Sequence, residues 1–248
     1  MDLEENKFII LIPFRNVKEY INKCLESILN QKYENYSIFL LDDNSNDGTT
    51  DSILYSDERI NIVKNDTRLG PTQNLFNALK TLKIESHEII VWLDGDDCLY
   101  GEYAFQILNY YYNNNILLTY GQYIDNFGRM GHCTQYTEEE FSELRKVSWR
   151  ASHLKSFKMS LFQRYLSLDP YGEYLKDDND NFYMATSDIA IMFPLMEIAG
   201  HEKIQFISNV LYQYRLSPHN DHSSKAGRDL QISAEMSIRK KKPIISES

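Results

Sequence analysis

Three short apolar runs, each ending in a polar or acidic cluster, most constrain what this chain can fold into. Phe8-Ile9-Ile10-Leu11-Ile12 leads into Pro13-Phe14-Arg15-Asn16, and Ile38-Phe39-Leu40-Leu41 leads into Asp42-Asp43-Asn44-Ser45-Asn46-Asp47-Gly48. The run over 88–93 leads into Asp94-Gly95-Asp96-Asp97. A run that is apolar at consecutive rather than alternate positions reads as a strand covered on both faces, the habit of a parallel sheet. Between the first two runs the apolar residues Tyr20, Ile21, Cys24, Leu25 and Ile28 recur at spacings of three and four. That spacing predicts a helix over 17–29, and a second is predicted over 71–82. Residues 60–63 read as a further strand and 49–55 as a short helix. The β-α-β-α order predicts an α/β fold with a Rossmann-like, mostly parallel central sheet and helices on both faces.

In such sheets ligands bind beyond the carboxyl ends of the strands, so the three clusters are expected to share one edge. Asp94-Gly95-Asp96-Asp97 crowds like charges, which costs energy unless a cation or solvent relieves it. Hard carboxylate oxygens suit Mg²⁺ or Mn²⁺; a solvated acidic turn is the competing reading. The segment from Asp43 to Gly48 partly matches a calcium loop, but Leu54 stands where the bidentate glutamate belongs. No Gly-x-Gly-x-x-Gly follows the first run and no Walker lysine occurs, so dinucleotide and P-loop classes are excluded.

At 248 residues the chain suits one sizeable α/β domain. After about Ile116 the pattern loosens. Residues 117–120 predict another strand, 137–144 begin like a helix, and 189–199 form an apolar helix. From Ser223 onward the chain is polar and ends in Arg239-Lys240-Lys241-Lys242, which reads as a mobile tail. A formal net charge of −10 disfavours nucleic acid and anionic membranes as general partners. No apolar run is long enough to cross a bilayer, and the acidic start does not resemble a signal peptide. Cys24, Cys98 and Cys133 lack metal-ligand spacing, so reduced thiols and a soluble, cytoplasmic protein are expected. The 18 tyrosines against 2 tryptophans suit polar, ring-shaped ligands.

Taken together, residues 9–16, 41–49 and 93–97 resemble, in order and separation, the three signature segments of family 2 glycosyltransferases. Gly70 and Asn74, at the head of the intervening helix, add to the resemblance, which is clearest over the first half. It implies a GT-A fold and an inverting transfer from a nucleotide diphosphate donor, most commonly a UDP-sugar. The acceptor it implies is a hydroxyl on a glycan, lipid-linked or protein substrate. By the same resemblance Pro13, Phe14 and Arg15 line the nucleotide pocket, Asp43 meets the base, and Arg68 approaches the base or phosphates. Asp94 and Gly95 lie by the ribose or the metal shell, and Asp96 binds Mn²⁺ or Mg²⁺ directly.

In the second half, Ser187-Asp188-Ile189-Ala190 opens the apolar helix where this family commonly places its catalytic carboxylate, which makes Asp188 the candidate general base. An N-cap role for Asp188 is the alternative. The segments 149–157, 211–214 and 218–222 also resemble a subgroup of these enzymes. They make His222 or His219 a candidate metal ligand, and Arg150 and His153 candidates to neutralise the diphosphate. Residues 1–115 then form a nucleotide-sugar-binding half, 116–225 an acceptor-binding and catalytic half that caps it, and 226–248 the basic tail. Two other readings stay open. A sugar nucleotidyltransferase would need a Gly-rich basic loop after the first strand, where Pro13-Phe14-Arg15-Asn16 stands. A non-catalytic member of the fold is disfavoured by the presence of Asp43, Asp94, Asp96 and Asp188.

Overall fold

The computed structural model describes residues 3–217 and 224–245. Its first half follows the predicted order: β1 (Phe8–Phe14), α1 (Ile21–Leu29), β2 (Tyr36–Asp42), β3 (Ile60–Lys64), α2 (Pro71–Thr81) and β4 (Ile89–Trp92). These four strands are parallel neighbours in the order β3-β2-β1-β4. The helix predicted over 17–29 begins only at Ile21, and the short helix predicted over 49–55 shrinks to a single 3₁₀ turn at Thr50–Ser52.

The period-free apolar runs are explained by cover on both sides. Ile9, Leu11, Leu41, Ile90 and Trp92 pack into one core with Leu75 and Leu79 of α2. Phe8, Ile10, Ile12, Ile38, Leu40, Ile89 and Val91 pack into a second core with Ile21, Cys24, Leu25 and Ile28 of α1. Successive strand residues point to opposite faces, so each alternate set needs its own helical layer. In register, Phe14 lies beside Asp42 and Leu11 beside Trp92. All three clusters therefore leave the sheet at one edge, with Asp43 and Asp96 on the same side of the molecule.

The second half adds β5 (Cys98–Leu99), α3 (Ala104–Asn113), β6 (Leu118–Asp125), α4 (Glu138–Ser142), β7 (Lys155–Lys158) and α5 (Met159–Leu168), then α6 (Ser187–Ala199), β8 (Ile204–Tyr214) and α7 (Lys225–Lys240). Its strands extend the sheet as β4-β7-β6-β8-β5, giving eight strands among the described residues. β7 runs antiparallel to β4 and β6, while β6 and β8 are parallel. β7 is a buried strand without an apolar run: Lys155 and Ser156 are both enclosed. Ser156 stays satisfied by hydrogen bonds shared with Tyr112 (2.8 Å) and Thr119 (2.6 Å).

Helix α6 is apolar nearly all round because it is buried nearly all round, from Ile189 to Ile198. Its neighbour α7 corrects the mobile tail expected from Ser223 onward. Ser224 caps α7 by accepting from the Gly227 N–H (2.9 Å), and Ala234 and Ile238, one helical turn apart, are buried against the main core. The tie is also polar. Arg145 forks onto Glu197 and donates to the Ile238 carbonyl (2.8 Å), while Arg239 donates to the carbonyls of Arg145 and Val147 (both 2.9 Å). Two apolar positions in a basic, polar stretch are too few to announce a helix. Its docking groove is built by residues about 40 to 90 positions upstream. Among the described residues no helix is long and apolar enough to cross a membrane, and Cys24, Cys98 and Cys133 are free thiols.

Candidate functional site

The loops after β1 and β2 are laced together by short polar residues. Ser45 accepts from the Asn16 N–H (3.0 Å) and Asn16 from the Asn46 N–H (2.9 Å). Asp42, fully buried, holds the Ser45 N–H and the Thr50 hydroxyl at 2.7 Å each. Asp47 accepts from the amides of Lys18 and Thr49. The side-chain oxygens that would ligate calcium in this loop are thus engaged in shaping it.

Asp43 reaches the other way. Its carboxylate accepts from the backbone amides of Leu69 (2.7 Å) and Gly70 (2.9 Å) and from Asn65 (3.2 Å). It thereby fixes the turn that opens α2, where Gly70 adopts φ +87° and Met184 fills the space a side chain would need. Asn74 completes the joint by donating to the Leu41 carbonyl (3.0 Å). Beside Asp43, Pro13 and Phe14 end β1 in buried positions, while Arg15 turns partly outward. Its Nε is buried with no hydrogen-bond partner, an uncommon state for a charged donor. Arg68, on the loop before α2, is exposed.

The third cluster is the most crowded. Asp97 is buried, its oxygens accepting from the Tyr212 hydroxyl (2.6 Å) and the Arg215 N–H (2.7 Å). Asp94 accepts from the Trp92 indole (3.0 Å) and lies 3.9 Å from His153 Nδ1. Asp96 pairs with Arg215 at 2.5 Å. Burial pushes the Asp94 carboxyl up, against the pull of the Lys155 ammonium and with the push of the Asp96 and Asp188 charges. Burial, then Asp96 and Asp94, push Asp97 well above the ordinary carboxylate range. His153 stacks on Tyr212 (4.4 Å between centroids) and Tyr214 (5.3 Å). Burial, the Lys155 ammonium 3.3 Å away and His132 hold His153 well below its usual range, so its imidazole is neutral. A neutral imidazole offers a lone pair rather than a positive charge.

One ligand atom each from Asp94, Asp97 and His153 lie within 4.8 Å of one another. Two crowded carboxylates that desolvation and neighbouring negative charge push up, beside a neutral imidazole, are a donor set that fits a divalent ion such as Mn²⁺. Asp96 adjoins this set, with its carboxylate on Arg215. His219 and His222 lie outside the described residues. Arg150 sits elsewhere: its guanidinium pairs with Glu140 and covers the Tyr136 ring at 4.8 Å.

Asp188 is the second residue of α6, and its carboxylate accepts from the Trp149 indole (3.1 Å). It lies close enough to Asp94 for its charge to help raise that carboxyl. The structure thus puts Asp188 within electrostatic reach of Asp94, beside Asp96, and sets Asp43 and Arg15 along the same edge of the sheet. It adds Trp149, Lys155, Tyr212 and Arg215, to which no role attached in the sequence, and gives Asp97, read there only as part of the acidic cluster, a buried place of its own. Trp149, Lys155 and Tyr212 did lie inside segments that resembled the family, which was the only signal available.

Gly95 lets the cluster close over β1. A Cβ there would stand 2.6 Å from the Phe14 Cβ, which is fixed to its backbone and cannot swing aside. Gly95→Ala is therefore expected to cost about 1–3 kcal/mol by overpacking. A fall in the urea midpoint at unchanged slope checks it; an unchanged midpoint would show that the loop moves freely.

Comparison with known proteins agrees with this layout. The family model described as Glycosyl transferase family 2 matches residues 9–168. The Escherichia coli protein UDP-Glc:alpha-D-GlcNAc-diphosphoundecaprenol beta-1,3-glucosyltransferase WfgD is 31% identical over 140 residues, 55% of this chain and 54% of that protein. An uncharacterized glycosyltransferase of Haemophilus influenzae is 29% identical over 119 residues, 46% of each chain. The chain thus matches about half the length of these curated relatives. Among solved structures, residues 1–349 of Staphylococcus aureus TarS in complex with UDP superpose with a TM-score of 0.62 at 16% identity, over 93% of this chain and 65% of that one. The Pyrobaculum calidifontis mannosyltransferase PcManGT, in complex with GDP-Man and Mn²⁺, gives 0.61 at 15% identity, over 98% and 68%. The mixed, mostly parallel sheet with its helical layers is GT-A-like.

Proposed function

Because the chain belongs to glycosyl transferase family 2, we propose that it moves a sugar, with inversion, from a nucleotide diphosphate donor, a UDP-sugar, to an acceptor hydroxyl. The observation that carries this reading is the convergence of ligand atoms of Asp94, Asp97 and His153 within 4.8 Å on the sheet edge that also bears Asp43, with Asp188 near enough for its charge to act on Asp94. One carboxylate stands free of the acidic loop yet beside it, as a base must stand beside the bond it helps to make.

In this reading the nucleotide lies along the strand edge. Asp43 fixes the Leu69–Gly70 turn that walls the base, between Pro13 and Phe14 on one side and Arg68 on the other. The orphaned Arg15 Nε supplies a donor to the phosphates. Asp94, Asp97 and His153 would hold a divalent ion, with the adjoining Asp96 joining them once its carboxylate is released from Arg215. When bound, that ion acts as a Lewis acid that stabilises negative charge on the departing diphosphate. Asp188 accepts the proton of the acceptor hydroxyl as its oxygen bonds to the anomeric carbon and the bond from that carbon to the diphosphate oxygen breaks. The Trp149 indole orients the Asp188 carboxylate without neutralising it. A single displacement on the face opposite the diphosphate inverts the anomeric centre.

A cavity of about 620 Å³ adjoins the Leu69 turn and is lined by Gln73, Asp178, Met184 and Ser233 among others. Its size and its mixed polar and apolar lining suit a saccharide acceptor. The lipid-linked acceptor named for WfgD and the donors bound by TarS and PcManGT support the substrate classes.

The test is nucleotide release from UDP-glucose, UDP-N-acetylglucosamine and GDP-mannose, each with Mn²⁺ or with EDTA. UDP released only with Mn²⁺ is expected, rising with a diphosphoundecaprenol-linked saccharide. Pyrophosphate release from UTP and a sugar 1-phosphate would instead establish a nucleotidyltransferase, and binding without turnover a non-catalytic member.

A further inference from the structure

We propose that Arg215 is an internal counter-cation of the acidic loop: it occupies Asp96 until a divalent ion arrives, so that ion binding is an exchange in which the guanidinium leaves this carboxylate. The inference rests on the reading that the Asp94–Asp97 loop takes such an ion.

Arg215 grips the loop at three points. Its Nη2 lies 2.5 Å from Asp96 Oδ2, its Nε donates to the Asp96 carbonyl (3.2 Å), and its own N–H donates to Asp97 (2.7 Å). The guanidinium also lies 3.8 Å above the Tyr20 ring centre. The side chains of Arg215 and Asp96 are only 20% and 29% exposed, so water screens this pair less than a surface pair. Three carboxylates within four residues would otherwise repel one another across a partly dry loop, and the guanidinium supplies the missing positive charge. An ion on Asp96 would stand within a few ångströms of a like charge while Arg215 stays on Oδ2.

The second internal cation cannot play this part. Lys155 is 1% exposed in the middle of the sheet on β7, its ammonium over the Trp92 ring and against His153, so leaving that place would mean breaking the core around it. Arg215 instead follows the end of β8 at the rim. The Tyr20 ring offers its cation a place to remain once it leaves Asp96.

Equilibrium Mn²⁺ binding to the full chain without donor, read from the electron paramagnetic resonance of free Mn²⁺, tests the exchange. Arg215→Gln should bind Mn²⁺ about tenfold tighter or more, the scale of one lost competing ion pair. Arg215→Lys, which keeps the charge but loses the fork, should gain less. Lys23→Gln, which removes an exposed charge from α1, should change the affinity by no more than about twofold. In EDTA, Arg215→Gln should melt below wild type, and saturating Mn²⁺ should close that gap. Equal or weaker Mn²⁺ binding in Arg215→Gln overturns the proposal, as does an equal gain in Lys23→Gln. If Arg215→Gln does not fold, Arg215→Lys decides: wild-type affinity there sinks the exchange. Asp96→Asn separates the two layers. Unchanged Mn²⁺ binding in that variant removes the ion assignment itself, whereas weakened binding without a gain in Arg215→Gln removes only the exchange.

Discussion

Asp96→Asn is expected to lower sugar transfer by about a hundredfold or more, the scale of several kcal/mol of lost leaving-group stabilisation. The substitution keeps the size of the side chain and removes its full negative charge. Asp96 can also be changed without emptying the core, since it is part-exposed and bonded to Arg215 rather than to the sheet. Asp97 would be the poorer choice. Both its oxygens hold β8 through Tyr212 and the Arg215 N–H, so a loss there would mix chemistry with folding. Initial rates of UDP release with saturating donor, with Mn²⁺ titrated in each case, make the measurement. Recovery at high Mn²⁺ would mean weakened ion binding, and a loss that persists at saturation would mean a poorer transition state. Near-normal turnover in Asp96→Asn, or undiminished wild-type turnover in EDTA, would remove Asp96 from the mechanism.

Asp188→Asn and Asp188→Ser should fold, bind UDP as wild type does, and transfer sugar about a hundredfold more slowly, the scale of lost general-base catalysis. The alternative role of the residue was a helix cap, and both substitutes can cap. In the structure the hydrogen bond that Asp188 accepts comes from the Trp149 indole, with Asp188 inside the first turn of α6 rather than before it. Asn retains an oxygen for that indole, so a loss in Asp188→Asn isolates the basic carboxylate. Trp149→Phe should then act through orientation alone, with a smaller fall in kcat at unchanged donor KM. If both Asp188 variants keep wild-type rates, the base lies elsewhere. Glu173 and Asp180 pair with Lys176, and Asp177 holds the amides of Asn179 and Asn181. Asp178, which borders the cavity, would be the next carboxylate to test.

Much of the site could be read from the sequence because its parts are local. Asp43 and the Asp94–Asp97 cluster each follow directly on an apolar run, and the rule that ligands gather beyond parallel strand ends needs no coordinates. Asp188 became a candidate only through resemblance, since an aspartate at the head of an apolar helix can also be explained as a cap. Its nearness to Asp94 is a tertiary fact: the two residues are joined through α5, a long loop and the packing of α6 into the core.

By itself the sequence determined the parallel half of the sheet, from β3 to β4, and the edge on which chemistry would gather. Consecutive apolar residues can be satisfied only by cover on both faces, and that condition is local. The tertiary structure alone decided the rest. β7 carries Lys155 and Ser156 into the middle of the sheet, which is tolerable only because Tyr112, Thr119, Trp92 and His153 wait there. α7 is a helix rather than a tail because α6 and Arg145 receive it. Asp96 has a cation because Arg215, remote in sequence, follows the end of β8 beside it. Burial and charge pairing depend on what lies near a side chain in space, and in a mixed sheet those neighbours come from distant parts of the chain.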